Sequence, residues 1–353
     1  MSWSAATMSD YAYARPSACR DIPVIDVGAL ESGEDALARI GASLVASARE
    51  LGFFYVSGHG VDPLLRHQAF EAARRFFELP AEVKRLVAVG DDQRGWMAQG
   101  MARLEGSLTH DAKEVFFWGW EVAADDPDVL AGVPMVAPNR WPQAGAPWLR
   151  DAITAYYLQV VALGHRLMSA IAVGLGAPRD FFIAHYDKPL ARGQLVYYPP
   201  SGPLDRQEHR FGAAAHTDFG ALTLLAQDDR GGLQIQHADG DWIEAPPIEN
   251  TFVCNIGDLL QRWTAGALRS TRHRVINRSG LARYSIPVFF DPRSTALIDP
   301  AALGFACADE RLTAGEHIAA RNRRNFAQYG RGDHVKLKPA DSPVAALRPG
   351  ESI

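Results

Sequence analysis

Between residues 34 and 50, Leu37, Ile40, Leu44, Val45 and Ala48 recur at helical spacing and predict an amphipathic helix with one apolar stripe. Before it, Ile22-Pro-Val-Ile-Asp-Val27 is a short β-rich run ended by Gly28. After it, Gly52-Phe-Phe-Tyr-Val56 predicts a strand stopped by the Gly58-His-Gly60 turn. A second helix is expected from Asp62 through Phe76 and Phe77 to Pro80, and a long amphipathic one over 147–175, closed by Gly174 and Gly176. From about residue 192 the pattern shortens. β-rich runs at 194–198, 222–226, 233–236, 251–256, 273–277 and 284–290 alternate with turn clusters such as Asp228-Asp-Arg-Gly-Gly232 and Ala238-Asp-Gly-Asp241. Many short strands joined by such turns predict an all-β barrel or jelly roll. A last helix is expected over 313–328, and the tail after Lys338 reads as irregular.

Composition narrows the class. A chain of 353 residues fits two domains of about 150 residues, or one large domain with helical additions. With 47% hydrophobic and 22% charged residues it has the balance of a globular protein, which excludes disorder for its bulk. Its 36 basic and 41 acidic residues leave a net charge of −5, too mild for nucleic acid or an anionic membrane as the main partner. Cys19, Cys254 and Cys307 are odd in number and far apart, so neither a disulfide framework nor a CxxC zinc site is expected, and a reducing compartment fits. No run approaches the ~18 apolar residues of a membrane span. The first 20 residues lack the apolar stretch of a secretory signal and read as a loose arm. A cytoplasmic protein, monomeric by default, is the expectation.

Candidate chemistry centres on histidine. Chance places about one His-x-acid triplet in a chain of this composition, so the triplet alone decides nothing. Three occur: His185-Tyr-Asp187, His216-Thr-Asp218 and His237-Ala-Asp239. The last lies in a turn and the first at the end of a predicted helix before Lys188-Pro189, where polar residues need no further reason. His216 and Asp218 stand before Leu222-Thr-Leu-Leu225, and at a strand mouth positions i and i+2 share a face. His273, in another strand-like run, supplies a third ligand. Two imidazoles and one carboxylate leave coordination positions open, which suits non-heme Fe(II) and oxygen chemistry. Zinc is the competing reading, though the chain has no HExxH helix. Arg283 and Ser285, also at i and i+2, pair a guanidinium fork with a hydroxyl and suit a carboxylate. Arg94 and Phe116, beside Trp96 and Trp118, are read either as core or as the substrate mouth; Phe211, Leu233 and Phe290 flank motif segments and are further pocket candidates. His59, Asn255 and Asp258 are read as turn residues, Cys254 as a small buried residue, and Arg321, Arg323 and Arg324 as a solvated helix face.

Taken together these residues resemble the isopenicillin N synthase-like family of Fe(II)/2-oxoglutarate-dependent dioxygenases. The resemblance spans roughly residues 20 to 330. It is carried by Ile22–Asp26, Gly52–Gly60, Lys113-Glu-Val-Phe-Phe-Trp-Gly119, Asn139-Arg-Trp-Pro142, Tyr197-Tyr-Pro-Pro200, His216-Thr-Asp-Phe-Gly220, Gly231-Gly-Leu-Gln234, Asn255-Ile-Gly-Asp258, His273-Arg-Val-Ile-Asn277 and Arg283-Tyr-Ser-Ile-Pro287. It implies a mostly β core with α: a distorted double-stranded β-helix (jelly roll), with a helical N-terminal region and a C-terminal helix. The chain would divide into an arm (1–20), a dioxygenase N-terminal region (21–145), a support helix with the jelly-roll core (146–330) and a tail (331–353). His216, Asp218 and His273 would hold Fe(II). Arg283 and Ser285 would bind the distal carboxylate of 2-oxoglutarate, and Tyr198 would hydrogen-bond the cosubstrate near the metal. Many relatives carry Asn two positions before that tyrosine; here Val196 removes that polar contact. The implied activity consumes O2 and 2-oxoglutarate, releases succinate and CO2, and hydroxylates, desaturates or cyclises a small-molecule substrate. Two alternatives stay open: a 2-oxoglutarate-independent iron oxidase of the isopenicillin N synthase type, and a non-catalytic jelly-roll binding protein.

Overall fold

The computed structural model describes residues 13–17, 21–102, 107, 109–202, 205, 208–305 and 311–325. Most of the expected arm, Cys19, Cys307, the end of the helix expected over 313–328 and the tail after Lys338 lie outside the described residues. The first half runs β1 (Val24–Asp26), α1 (Glu34–Glu50), β2 (Phe53–Ser57), α2 (Pro63–Phe77), α3 (Ala81–Arg85), β3 (Gly95–Met97), β4 (Glu114–Trp118), α4 (Pro127–Leu130) and α5 (Leu149–Gly174). The second half runs β5 (Arg192–Tyr198), β6 (Ala213–His216), β7 (Leu222–Gln227), β8 (Leu233–Gln236), β9 (Trp242–Glu244), β10 (Phe252–Ile256), α6 (Asp258–Trp263), β11 (His273–Val275), β12 (Arg283–Phe290), β13 (Leu297–Ile298), β14 (Leu312–Thr313) and α7 (Ala314–Asn325). Helix α2 starts where Asp62 accepts the Leu64 N–H and Pro63 presets the first turn.

Eight strands form the main sheet in the order β1-β2-β10-β7-β12-β5-β4-β3, antiparallel except for β1 beside β2. It draws strands from both sides of residue 145. A four-stranded sheet, β6-β11-β8-β9, pairs separately, so the arrangement is an open jelly-roll sandwich and not a closed barrel. Alternation along each strand decides what every residue meets. On β12, Tyr284, Ile286, Val288 and Phe290 enter the apolar layer shared with the helices, while Arg283, Ser285, Pro287 and Phe289 line the space between the sheets. Strand β2 sends Phe54 and Val56 to the helices and Phe53 and Tyr55 inward. The same rule on β4 sends Phe116 and Trp118 to the helices and Val115 and Phe117 inward.

Two pocket candidates fall on the wrong side of this division. Phe116 is fully buried against Phe76, with ring centroids 4.9 Å apart. Phe290 stacks on Tyr186 at 4.5 Å, over Gly164 of α5, which has no side chain to keep the ring away. Both are core residues. Helix α5 itself is long and apolar enough to cross a membrane by length and composition, against the sequence expectation, yet 61% of that stretch is buried within this fold. It packs on α1, α2 and β12. Phe290→Ala is therefore expected to cost about 3–5 kcal/mol in urea unfolding, with iron and 2-oxoglutarate affinities unchanged in the folded fraction; altered affinity would place Phe290 in the site.

Candidate active site

Strands β6 and β11 pair antiparallel with His216 opposite His273, so both imidazoles share one face, their centroids 4.3 Å apart. His216 is the last residue of β6, and Asp218 lies just beyond it. Two glycines make that turn possible. A side chain on Gly220 would strike the Asp291 carboxylate at 1.9 Å, and one on Gly257 would strike the Gly220 carbonyl at 2.2 Å. The close approach lets the Asp258 N–H donate to the Asp218 carbonyl at 2.8 Å. Asp258 also accepts from Thr217, Ser270 and Arg321, pinning the residue between the two ligands.

The three side chains are prepared for a metal. His216 Nδ1 donates to the Ala214 carbonyl (2.7 Å) and His273 Nδ1 to the Thr271 carbonyl (3.2 Å), which leaves each Nε2 lone pair free. Both Nε2 atoms face Asp218 Oδ1, at 3.8 and 3.6 Å. Asp218 Oδ2 is occupied, accepting from Thr223 Oγ1 (2.5 Å) and Asn255 Nδ2 (2.7 Å). One oxygen and two nitrogens thus lie within 4.8 Å of one another, a His–Asp–His metal site. Burial, reinforced by His273, holds the His216 imidazole neutral well below the usual range. Burial pushes the Asp218 carboxyl up, but the two imidazoles and the hydrogen bonds from Asn255 and Thr223 outweigh it and keep the group ionised. Neutral imidazoles and an ionised carboxylate are the ligand forms a divalent metal requires.

Two small spaces adjoin the triad. The inner one, about 80 Å3, is lined by Arg283, Ser285, Tyr198, Leu233, Val196 and Val275 among others. Arg283 is fully buried. Its Nε donates to the Gly231 carbonyl and its Nη2 to Gln227, the guanidinium lies 4.7 Å over the Tyr198 ring, and Nη1 has no partner. The outer space, about 70 Å3, is lined by Gln93, Arg192, Phe219, Phe289 and Asn322. Lys113, Gln194, His216, Asp218 and Phe289 line both. Lys113 lies 2.9 Å from the buried Asp111 carboxylate; burial would lower its pKa, but Asp111 outweighs that and keeps it charged.

The structure brings together His216, Asp218, His273, Arg283, Ser285, Tyr198 and Leu233, and separates the other pocket candidates from them. Arg94 turns away to the carbonyls of Asp92, Gln93 and Met135 and lines a different cavity with Trp120 and Arg293; its neighbour Gln93 reaches the metal side. Phe211 lies against Arg274, 5.1 Å from its ring, and Arg274 follows His273 on the opposite face of β11. The other two triplets sit elsewhere: Asp187 binds Arg293, and His237 pairs with Asp239 in its turn. His59 caps its own turn through the Val61 N–H and the Asn250 carbonyl, and Cys254 is buried on β10. Arg321 is half-buried on Asp258, not a solvated residue. Sequence reasoning missed Asn255 and Thr223 as carboxylate orienters, and Lys113, Arg192, Gln93 and Asn322 as lining groups. Counting by twos from Arg283 gives Phe289, and from Tyr198 gives Arg192 and Gln194; Gln93 and Asn322 come from remote segments and carry no such signal.

Two outcomes follow from this geometry. Asn255→Leu is expected to weaken Fe(II) binding about 10- to 100-fold with little change in melting temperature; unchanged binding would show that Asp218 needs no such support. In the metal-free protein the unfolded chain protonates His216 near the ordinary imidazole pKa of 6.5 while the folded chain does so only further down. Stability should therefore fall as pH drops below 6.5. Urea titrations at falling pH should show that loss, and His216→Gln should reduce it; an unreduced loss would contradict the assignment.

Comparison with known proteins gives the same reading. Residues 22–144 match the family described as non-haem dioxygenase in morphine synthesis N-terminal, and residues 180–292 match the 2OG-Fe(II) oxygenase superfamily. The chain is 33% identical to the 2-oxoglutarate-dependent dioxygenase citB of Monascus ruber over 316 residues, covering 86% of this chain and 95% of the relative. It is 33% identical to homoarginine-6-hydroxylase 2-ODD-233 of Oryza sativa subsp. japonica, covering 86% and 97%. The crystal structure of Neurospora crassa T7H with alpha-KG and thymine superposes with a TM-score of 0.74 at 29% identity, covering 85% of this chain and 96% of that one. With the His–Asp–His site in place between the sheets, the chain belongs to the isopenicillin N synthase-like family of 2OG-Fe(II) oxygenases.

Proposed function

We propose that His216, Asp218 and His273 hold Fe(II), that Arg283, Ser285 and Tyr198 hold 2-oxoglutarate in the inner space, and that the enzyme hydroxylates a small molecule admitted from the outer one. The observation that carries this reading is Arg283: fully buried, with Nη1 unpartnered and no carboxylate of the described residues within 4 Å. A buried guanidinium without an ion-pair partner costs several kcal/mol, and the Asp228 carboxylate acts on Arg283 only from beyond ion-pair distance. A dicarboxylate that places one end on Arg283 supplies both the missing charge and the missing acceptor. The donor set fits the metal as well, since two nitrogens and one oxygen leave positions open for a chelating cosubstrate and O2. Fe(II) held by the three ligands would, with 2-oxoglutarate, supply the oxidising power, with succinate and CO2 as co-products.

The chain's own residues do the rest. The Tyr198 ring packs against the Arg283 guanidinium, 4.7 Å from its centroid. Val196, Leu225, Leu233 and Val275 make part of the inner wall apolar, and of the two cations that line it, Lys113 is already paired with Asp111, which leaves Arg283 for an incoming anion. Thr223 and Asn255 keep one Asp218 oxygen turned toward the metal. The two spaces are too small for a macromolecule, and the names of relatives point the same way: thymine with T7H, homoarginine with the rice hydroxylase.

Adding 2-oxoglutarate to the anaerobic Fe(II) protein should produce a visible metal-to-ligand charge-transfer band. Arg283→Met should raise the 2-oxoglutarate concentration needed for that band about a hundredfold, as expected on loss of a buried charge-assisted pair, with iron binding retained. Bound iron without a band would favour the 2-oxoglutarate-independent oxidase, and an unchanged midpoint in the variant would remove Arg283 from the cosubstrate site.

A further inference from the structure

Arg192 stands on β5 in the outer space beside His216 and Asp218, and it is 8% exposed. Its Nη1 donates to Gln93 Oε1 (3.1 Å) and its Nη2 to the fully buried Asp291 carboxylate (2.9 Å). The third donor, Nε, is buried and unpartnered. Gln93 and Asn322 clasp each other amide to amide, Nε2 to Oδ1 at 3.2 Å and Nδ2 to Oε1 at 3.3 Å. Gln93 does so at φ 54, in the left-handed region that a non-glycine residue enters only under constraint. Three remote segments, the loop before β3, β5 and α7, thus converge to fix one guanidinium. Arg192 lines the outer space beside His216 and Asp218, and its Nε is the one guanidinium nitrogen that neither Gln93 nor Asp291 engages.

The charge count selects the ligand. Arg192 is balanced by Asp291 and Lys113 by Asp111. On the metal side, a dication, one ligand carboxylate, a dianionic cosubstrate and Arg283 also sum to zero. A further carboxylate or ammonium would be an unpaired charge in a buried site, which is costly, whereas a neutral oxygen acceptor meets the unspent donor without that cost. Phe219 and Phe289 add flat apolar walls.

We propose that Arg192, fixed by Gln93, Asn322 and Asp291, is the specificity-determining residue for the prime substrate, and that it takes a neutral planar molecule through a carbonyl oxygen. This deepens the oxygenase reading and rests on it. The test is calorimetric titration of the full chain, loaded anaerobically with Fe(II) and 2-oxoglutarate, with benzamide, benzoate and benzylamine, three ligands of one ring size and different charge. Benzamide should bind about tenfold or more tightly than either charged ligand. Arg192→Lys, which keeps a cation beside Asp291 but loses the planar Nε donor, should weaken benzamide about tenfold, the worth of a hydrogen bond to a charged group. The 2-oxoglutarate affinity and the melting temperature should hold. Gln93→Met, which leaves the ion pair intact, should lower benzamide binding in the same direction and decides the matter if the lysine variant does not fold. Failure of benzamide to bind, preference for benzoate or benzylamine, or unchanged benzamide binding in the folded variants overturns the proposal while leaving the oxygenase reading intact, provided 2-oxoglutarate binds. Failure of 2-oxoglutarate to bind the iron-loaded wild type overturns both.

Discussion

The alternation of side chains along the main sheet is the constraint on which the rest depends. Each central strand must serve an apolar layer of helices on one face and a polar site on the other, and a single register assigns every residue. On β12 this gives Tyr284, Ile286, Val288 and Phe290 to the core and Arg283 and Ser285 to the site. On β10 it gives Phe252, Cys254 and Ile256 to the core and Asn255 to the Asp218 carboxylate. The small sheet closes the other side of this space and sets His216 opposite His273. The two histidines come from the small sheet and Asp218 from the turn that leaves it, while Thr223, Asn255 and Arg283, which hold the Asp218 carboxylate and offer a charge, come from the main sheet. Holding the two sheets together by the cluster of Phe53, Tyr55, Leu233 and Ile235 is what makes the site a site.

Burial then dictates the chemistry of what lies between. Groups in that space cannot rely on water, so each is met by a neighbour: Lys113 by Asp111, Arg192 by Asp291, and one Asp218 oxygen by the hydrogen bonds of Thr223 and Asn255. Arg283 alone among these lacks a carboxylate partner among the described residues. A site balanced everywhere except at one guanidinium is arranged for an anion that arrives with the reaction. The C-terminal helix α7 belongs to the same network through Arg321 on Asp258 and Asn322 on Gln93.

Much of this was legible in the chain. The helix over 34–50 and the strand over 233–236 matched their expected bounds because each carries a complete period within clear turn signals. The metal triad is legible because His216 and Asp218 stand together at the end of β6 and His273 lies in a separate run that pairs with it, although Asp218 sits in the turn past the strand and not at i+2 along it. The pocket was read less well, and in a regular way. Arg94, Phe116 and Phe290 were each one position from a residue on the inner face or at the metal: Gln93, Phe117 and Phe289. Aromatic and charged character drew attention to the neighbourhood, while parity, which periodicity from Arg283 already supplied for β12, decided the side. Strand β6 escaped notice because Ala213, Ala214 and Ala215 have little β-propensity and extend only by pairing with β11. Gln93 and Asn322 meet across 229 positions of chain, a contact no local pattern encodes.

The most direct measurement is iron-edge anomalous diffraction from crystals grown anaerobically with Fe(II) and 2-oxoglutarate. A single strong peak bounded by His216 Nε2, Asp218 Oδ1 and His273 Nε2, with the distal carboxylate of 2-oxoglutarate on Arg283 Nη1, is the expected result. Iron placed away from these three atoms, or a cosubstrate carboxylate seated anywhere but on Arg283, would contradict the division of the interior into a metal-ligand sheet and an anion-binding sheet.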